Sequence, residues 1–127
     1  MSIASETLTR SHRSFTSADS TATDYIIISA STVEGKAITS AWIINGDTKS
    51  HAVTVTLETY NGVAWETVAQ KSYTLLAEES AVLPEFIGAL IYRSDGNSDR
   101  IKAQIAESVN SSKSVHVYFS GAAFAAS

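Results

Sequence analysis

Residues 51–76, HAVTVTLETYNGVAWETVAQKSYTLL, constrain the fold more than any other stretch of the chain. Two runs rich in apolar and β-branched residues flank Asn61-Gly62. Asn-Gly between such runs is the strongest short-range signal for a β-hairpin, because both residues tolerate the positive φ of a tight turn. In the first run Val53, Val55 and Leu57 share one face in period-2 alternation. The stretch therefore predicts two antiparallel strands that need further strands to complete a sheet.

The return strand of this hairpin is compatible with two registers. A two-residue loop pairs Tyr60 with Val63, whereas a three-residue loop with a bulge at Gly62 sets Leu57 opposite Trp65. The two registers place Trp65 on opposite faces of the sheet, since side chains alternate along a strand. We favour the three-residue loop, because it buries the indole in the core. Tyr60, nearer the tip, is then the better candidate for contact with a ligand or partner.

Other segments of similar length also have the composition of strands. They are residues 24–31, 36–45, 86–92 and 114–120, with Gly88 predicted to bend the third of them. Residues 75–83 suit either a short helix stopped by Pro84 or a loop between sheets. Residues 99–109 combine helical spacing with strand alternation, and we favour a strand because the strand at 114–120 needs an antiparallel neighbour.

Together these segments predict an all-β protein, a single antiparallel β-sandwich or jelly-roll-like domain of roughly eight strands with an extended N-terminal arm. The sandwich is expected to cover residues 24–121. Residues 1–23 are rich in Ser and Thr and are predicted to be an arm, either flexible or ordered on a neighbouring subunit. Residues 122–127 form a short tail. The large apolar side chains of the arm and tail, together with Tyr60, are the candidate protein contacts: Ile3, Leu8, Phe15, Tyr60 and Phe124.

The composition argues against several classes of function. The chain has no cysteine, so disulfides and thiolate metal sites are excluded. The net charge is −4 and no Lys/Arg cluster is present, which argues against nucleic-acid binding. The longest apolar run is too short to span a bilayer, and no secretory signal is visible near Met1. We therefore expect no membrane association and no export.

No residue pattern points to catalysis, a cofactor or a metal. Asp95, Asn97 and Asp99 have the spacing of a calcium loop, but Arg100 and Ala106 occupy its sixth and twelfth positions, so a solvated turn is favoured. The three histidines lack any ligand motif and are expected to be structural. The glutamates at 78, 79 and 85 could form an acidic pair for glycoside chemistry, although a solvated loop explains them better. No G-x-S-x-G hydrolase motif is present.

Two runs resemble a known class of protein. LETYNGVAWETVA is similar to the hairpins of small β-sandwich proteins from tailed bacteriophage particles, and LPEFIGALIYRSDGNSDRIKAQIAESVNSSKSVHVYFSG looks like their closing strands. The resemblance covers about residues 24–121 and is one of pattern, with no collar motif to fix the station on the particle. It implies a non-enzymatic virion protein, assembled in the host cytoplasm, that forms a ring or trimer and docks on capsid, neck or tail. The alternative is a soluble carbohydrate-binding module, with Tyr60 and the turn at 95–99 near its site.

Overall fold

A computed structural model of the chain describes residues 7–21, 23–29, 34–91, 93–94 and 97–125. Over these residues the chain forms two antiparallel sheets of five strands each, so the predicted all-β sandwich is confirmed. In chain order the strands are β1 (Thr7–Phe15), β2 (Tyr25–Ser29), β3 (Glu34–Asn45), β4 (His51–Tyr60), β5 (Trp65–Leu75), β6 (Ser80–Val82), β7 (Leu90–Ile91), β8 (Arg93–Ser94), β9 (Asn97–Ile105) and β10 (Val115–Ala125).

The two sheets are built from strands that are distant in sequence. Sheet 1 has the order β1-β10-β3-β6, with β7 also paired to β3. Sheet 2 has the order β2-β9-β4-β5, with β8 paired to β9. A 3-10 turn, Pro84–Phe86, connects β6 to β7. Among the described strands, β1 and the β6/β7 pair form the edges of sheet 1, and β2 and β5 form the edges of sheet 2.

The core lies between the sheets and follows from strand alternation. On β10 the side chains of Val115, Val117 and Phe119 are fully buried, while the residues between them face outward. β4 contributes Val53 and Val55 from the opposite sheet. The core continues through residues of β1, β3, β9 and the 3-10 turn, namely Phe15, Ile38, Ala41, Ile43, Phe86, Ile101, Ala103 and Ile105. Because side chains alternate between the two faces of each strand, the inward-facing residues of both sheets together form one contiguous apolar layer.

The predicted strands at 24–31, 36–45 and 114–120 are confirmed as β2, β3 and β10. For residues 99–109 the strand is confirmed as far as Ile105, because β9 pairs with β4 up to Ile105 and with β2 up to Ala103, whereas residues 106–109 lie beyond the strand. The predicted strand at 86–92 is wrong over most of its length. Phe86 closes the 3-10 turn, Gly88 turns the chain at φ +91°, and pairing with β3 is limited to β7. Residues 75–83 are neither helix nor simple loop, since they include the short strand β6.

Both predicted registers of the central hairpin are wrong. Tyr60 pairs with Trp65 across a four-residue loop, and a bulge shifts the ladder between Leu57 and Glu58. The loop is wider because the side chain of Asn61 accepts hydrogen bonds from the backbone N–H groups of Val63 and Ala64, at 2.9 and 3.0 Å. An Asx turn of this kind replaces the tight two-residue turn. Trp65 consequently lies on the outer face of sheet 2 and is 37% exposed, so its predicted burial is also wrong.

The predicted boundaries of the arm and the tail need correction. Residues 7–15 form β1, which pairs with β10 in continuous register from Thr7↔Ala123 to Phe15↔Val115. At the other end, β10 extends through Ala125, so residues 122–125 also belong to sheet 1. A Ser/Thr-rich segment can serve as an edge strand because the ladder supplies its hydrogen bonds and one buried aromatic anchors it. Residues 1–6, 22 and 126–127 of the predicted arm and tail lie outside the described residues.

Candidate interaction surface

The outer face of sheet 1 carries a row of aromatic side chains, which we call the aromatic face: His12, His116, Tyr118 and Trp42. They face outward because they alternate with buried core residues on β1, β10 and β3. The ring centroids of Trp42 and Tyr118 lie 5.8 Å apart in an edge-to-face arrangement. His12 continues the row at 6.2 Å from Tyr118 and 6.4 Å from His116. The aromatic face is thus one packed unit that spans three neighbouring strands.

Polar and charged side chains contact the residues at the edge of the aromatic face. Ser14 Oγ lies 2.7 Å from Nδ1 of His116, and Ser114 Oγ lies 3.0 Å from its Nε2. Both ring nitrogens of His116 are therefore partnered, as expected for the structural role that the sequence analysis assigned to it. The guanidinium of Arg10 lies 5.9 Å from the centroid of Tyr118, within the range of a cation–π contact. This arrangement puts a positive charge at one side of the aromatic face.

A shallow open groove of about 400 Å³ adjoins the aromatic face. Its lining is mainly apolar: Ser40, Ala41, Trp42, Val82, Ile87, Tyr118 and Ser120. Trp42, Val82 and Ile87 are 39%, 59% and 44% exposed, so large apolar side chains face solvent here. The hydroxyl oxygens of Ser40 and Ser120 lie 2.5 Å apart and share one hydrogen bond. The groove can accommodate an apolar group, and none of the described residues that line it is charged.

The local sequence explains why apolar groups face outward at the groove. Pro84 begins the 3-10 turn, and the turn directs Phe86 into the core, where it packs edge-to-face on Phe119 at 6.2 Å. The next residue, Ile87, then faces outward, and Gly88 reverses the chain with a positive φ that other residues adopt rarely. Val82 lies beside Trp42 because β6 pairs with β3 at that position.

The tip of the β4–β5 hairpin is a second exposed feature, on sheet 2. Tyr60 and Trp65 face each other across the strands with ring centroids 5.3 Å apart. The guanidinium of Arg100 lies 3.6 Å from the centroid of Trp65 and 2.5 Å from a carboxylate oxygen of Glu58. Beyond these rings the loop carries Val63, which is 87% exposed. The hairpin is therefore stiff at its base and apolar at its tip.

Charged residues form a ladder on the same face of sheet 2. Lys102 binds Asp24 at 2.9 Å and Glu58 at 3.2 Å. The hydrogen bond to Asp24 is the main cause that raises the pKa of Lys102, against the opposing effect of burial, with the bond to Glu58 adding to it. Each charged side chain in this ladder has a partner of opposite charge, so we assign these residues the role of stabilising sheet 2.

A buried polar cluster closes one end of the sandwich. The carboxylate of Asp47 accepts hydrogen bonds from Nε2 of His51 at 2.8 Å and from the backbone and side chain of Asn110, each at 2.9 Å. Burial opposes ionisation of Asp47, but these bonds and one from the backbone of Thr48 outweigh it and hold the pKa of the carboxyl well below its usual range. Because Asp47 and His51 are inaccessible, the cluster joins two loops instead of binding a ligand.

Of the five predicted contact residues, Phe15 and Tyr60 have described side chains, and these two lie on different sheets. Phe15 is fully buried in the core, so its assignment as an exposed contact is wrong. Tyr60 lies at the base of the hairpin tip, partly covered by its packing on Trp65. Leu8 and Phe124 occupy strand positions opposite Ala122 and Gly35, and their side chains lie outside the described residues, as does all of Ile3.

The sequence analysis missed the groove. Trp42 alternates with Ala41 and Ile43 along β3, and apolar residues on both faces of a strand are typical of a strand that is covered on both sides. The structure leaves one of those faces open. The signal that could have located the groove is the pair Trp42 and Tyr118, each flanked by core residues on both sides in a strand.

The acidic candidates do not assemble a metal or catalytic site in the described part of the chain. No group of three or more His, Asp or Glu side chains is placed to hold a metal among those residues. Asp99 lies within β9, whereas Asp95 falls outside the described residues. Glu79 caps the backbone N–H of Leu76, and Glu85 accepts a hydrogen bond from the hydroxyl of Tyr73. The glutamates therefore serve local structure.

Comparison of the chain with family models, curated proteins and solved structures finds no match. In the described residues no helix is long and apolar enough to cross a membrane. The class that the fold itself defines is a two-sheet antiparallel β-sandwich with an open aromatic face.

Proposed function

We propose that this protein is a non-enzymatic structural component of a tailed-phage-like particle, which self-associates and docks on other particle proteins. The observation that supports the proposal most is the groove with its exposed margin. Trp42, Val82 and Ile87 line it, and Leu90 on β7 is a further large apolar side chain of sheet 1 that is 54% exposed. Contiguous exposed apolar groups on a small domain mark an interaction site, because they are costly to leave in water.

The sandwich architecture supports the same proposal. One edge strand carries features that oppose unspecific edge-to-edge pairing: β5 has a bulge, and its exposed Lys71 pairs with Val55, a residue of the inner face. Because these features disfavour strand pairing at the β5 edge, contact through the outer face of sheet 1 is more favourable than contact through that edge in a symmetric assembly. The resemblance of two sequence runs to phage sandwich proteins supports a phage-like particle over other assemblies.

The experiment is sedimentation velocity on the full chain at micromolar concentration, with two matched charge substitutions. Ile87→Asp places a carboxylate in the groove and is expected to shift the protein toward monomer. Val68→Asp places the same charge on β5 at a residue that is 60% exposed, and is expected to leave association unchanged. A monomeric wild-type chain, or equal effects of both substitutions, would contradict self-association through the groove. Quantifying the chain in purified particles from a producing culture tests the particle assignment, and its absence there would refute it.

A second candidate function is carbohydrate binding, now at the aromatic face instead of Tyr60. The specific observation in its favour is the Trp42–Tyr118 pair beside the hydroxyls of Ser40 and Ser120, since aromatic rings with a few polar groups form typical ligand sites. Screening the full chain and a Trp42→Ala variant on a glycan array separates the two functions. Binding that depends on Trp42 supports the carbohydrate site, and no binding by the wild-type chain rejects it.

A further inference from the structure

We propose that the groove receives the hairpin tip of a second copy of this chain, with Val63 of one copy inserted beside Trp42 and Ile87 of the next. The inference rests on the proposed self-association and adds its geometry. Contact between two different surfaces of the same chain is heterologous, so repeating it generates a ring when the rotation closes.

The first argument is the match between an apolar projection and an apolar recess. Val63 is 87% exposed and has the highest exposure among the large apolar side chains in the described residues. It stands at the end of a hairpin, where a side chain can enter a recess without a clash of flanking strands. The groove, about 400 Å³, is large enough for a valine side chain and its loop neighbours. Burying Val63 removes from water the group that is otherwise most exposed.

The second argument is that intramolecular contacts already fix the conformation of the hairpin tip before it binds. The side-chain oxygen of Asn61 accepts hydrogen bonds from the backbone N–H groups of Val63 and Ala64, and its side-chain nitrogen donates a hydrogen bond of 2.6 Å to the carboxylate of Glu66. The Tyr60–Trp65 pair holds the base of the same loop. A preorganised loop loses little conformational entropy when it binds, so even a small contact contributes to association.

The third argument is charge. The groove is flanked by Arg10 through its contact with Tyr118, and the hairpin tip carries the exposed carboxylate of Glu66 two residues beyond Ala64. The charges of Arg10 and Glu66 are opposite and attract each other when the tip occupies the groove. If two grooves paired face to face instead, both copies of Arg10 would lie at the same apolar contact and would repel each other. Opposite charges at the rim favour the tip over a second groove as the occupant.

Cysteine cross-linking tests this directly, because the chain has no cysteine of its own. Val63→Cys and Ile87→Cys are made as separate full-length proteins, then mixed and mildly oxidised. The proposal expects a disulfide-linked heterodimer in the mixture and little homodimer from either protein alone. A mixture of Val68→Cys with Ile87→Cys is the control, since Val68 lies on β5 away from the tip and should not link.

The outcomes are distinct. Homodimers of Ile87→Cys alone would show groove-to-groove contact and overturn the proposal. A wild-type chain that forms oligomers but gives no Val63–Ile87 cross-link also overturns it, while the proposed self-association stands. A monomeric wild-type chain rejects both. As an independent check, Val63→Asp is expected to weaken association about tenfold or more, with a melting temperature equal to that of the wild type at a concentration where both proteins are monomeric. An unaltered association constant would contradict the proposal.

Discussion

Replacing Phe15 by Ala tests whether β1 is an integral part of the sandwich. Phe15 is fully buried in β1 of sheet 1, opposite Val115, and packs edge-to-face at 5.6 Å on Tyr25 in β2 of sheet 2. It therefore joins the two sheets along one side of the molecule. Truncation of a buried Phe to Ala typically costs about 3–5 kcal/mol, through lost burial and the cavity that remains. We expect a loss of that size in the free energy of unfolding.

The assay is urea denaturation followed by tryptophan fluorescence and circular dichroism. Phe15→Leu, which keeps most of the volume, is expected to cost about 1–2 kcal/mol and covers the case in which the Ala variant does not fold. Arg10→Ala, on the exposed face of the same strand, is the control and should cost no more than about 1 kcal/mol. A Phe15→Ala variant as stable as the wild type would show that residues 7–15 are a detachable arm and would refute the placement of β1.

Three further perturbations follow from local geometry. Gly121→Ala should destabilise the fold by about 1–3 kcal/mol in urea denaturation, because the added Cβ would lie 2.1 Å from the carbonyl oxygen of Ala37 on β3; wild-type stability would contradict that close approach. Gly62→Val should cost about 1–3 kcal/mol through backbone strain, since Gly62 has φ +94°, whereas an added Cβ would meet no atom within 4 Å and so would not clash. Gly62→Asn should cost less because Asn tolerates positive φ, and equal melting temperatures for all three proteins would argue against strain. Asp47, whose folded-state pKa lies below its ordinary value, stabilises the protein above about pH 4, and this contribution is lost as the pH falls through the folded-state pKa. The difference in the free energy of unfolding between the wild type and Asp47→Asn should therefore become smaller as the pH is lowered in acid denaturation titrations. A difference that does not change with pH would exclude an ionised Asp47 in the cluster.

Local patterning predicted most of the strands because burial on one face imposes period-2 alternation. The segments that became β2, β3, β4 and β10 were visible for this reason. For β9, helical and strand spacing coincided at Ile101 and Ile105. A strand was predicted because β10 was expected to pair with it, and that reason is wrong: β10 pairs with β1 and β3 in sheet 1, whereas β9 lies in sheet 2. The segment 86–92 was misjudged because its apolar residues are divided between a 3-10 turn, a glycine turn and a two-residue strand.

The hairpin register and β1 could not be read from the sequence for physical reasons. The register depends on the side-chain hydrogen bonds of Asn61 and on the stacking of Arg100 over Trp65, a contact between β9 and β5 that no local pattern encodes. β1 has few apolar residues, since an edge strand is held by its backbone ladder, by the burial of Phe15 and by polar side-chain contacts such as that of Arg13 with the ring of Tyr25. The groove escaped prediction because an exposed apolar face has the same residue pattern as a covered one.

The measurement that tests the central claim most directly is the native mass of the full chain in solution. Native mass spectrometry at micromolar concentration is predicted to show one closed oligomer for the wild type, smaller species for Ile87→Asp, and an unchanged oligomer for Val68→Asp. A wild-type chain that remains monomeric across the accessible concentration range would contradict the proposal that the open face of sheet 1 exists to join copies of this protein.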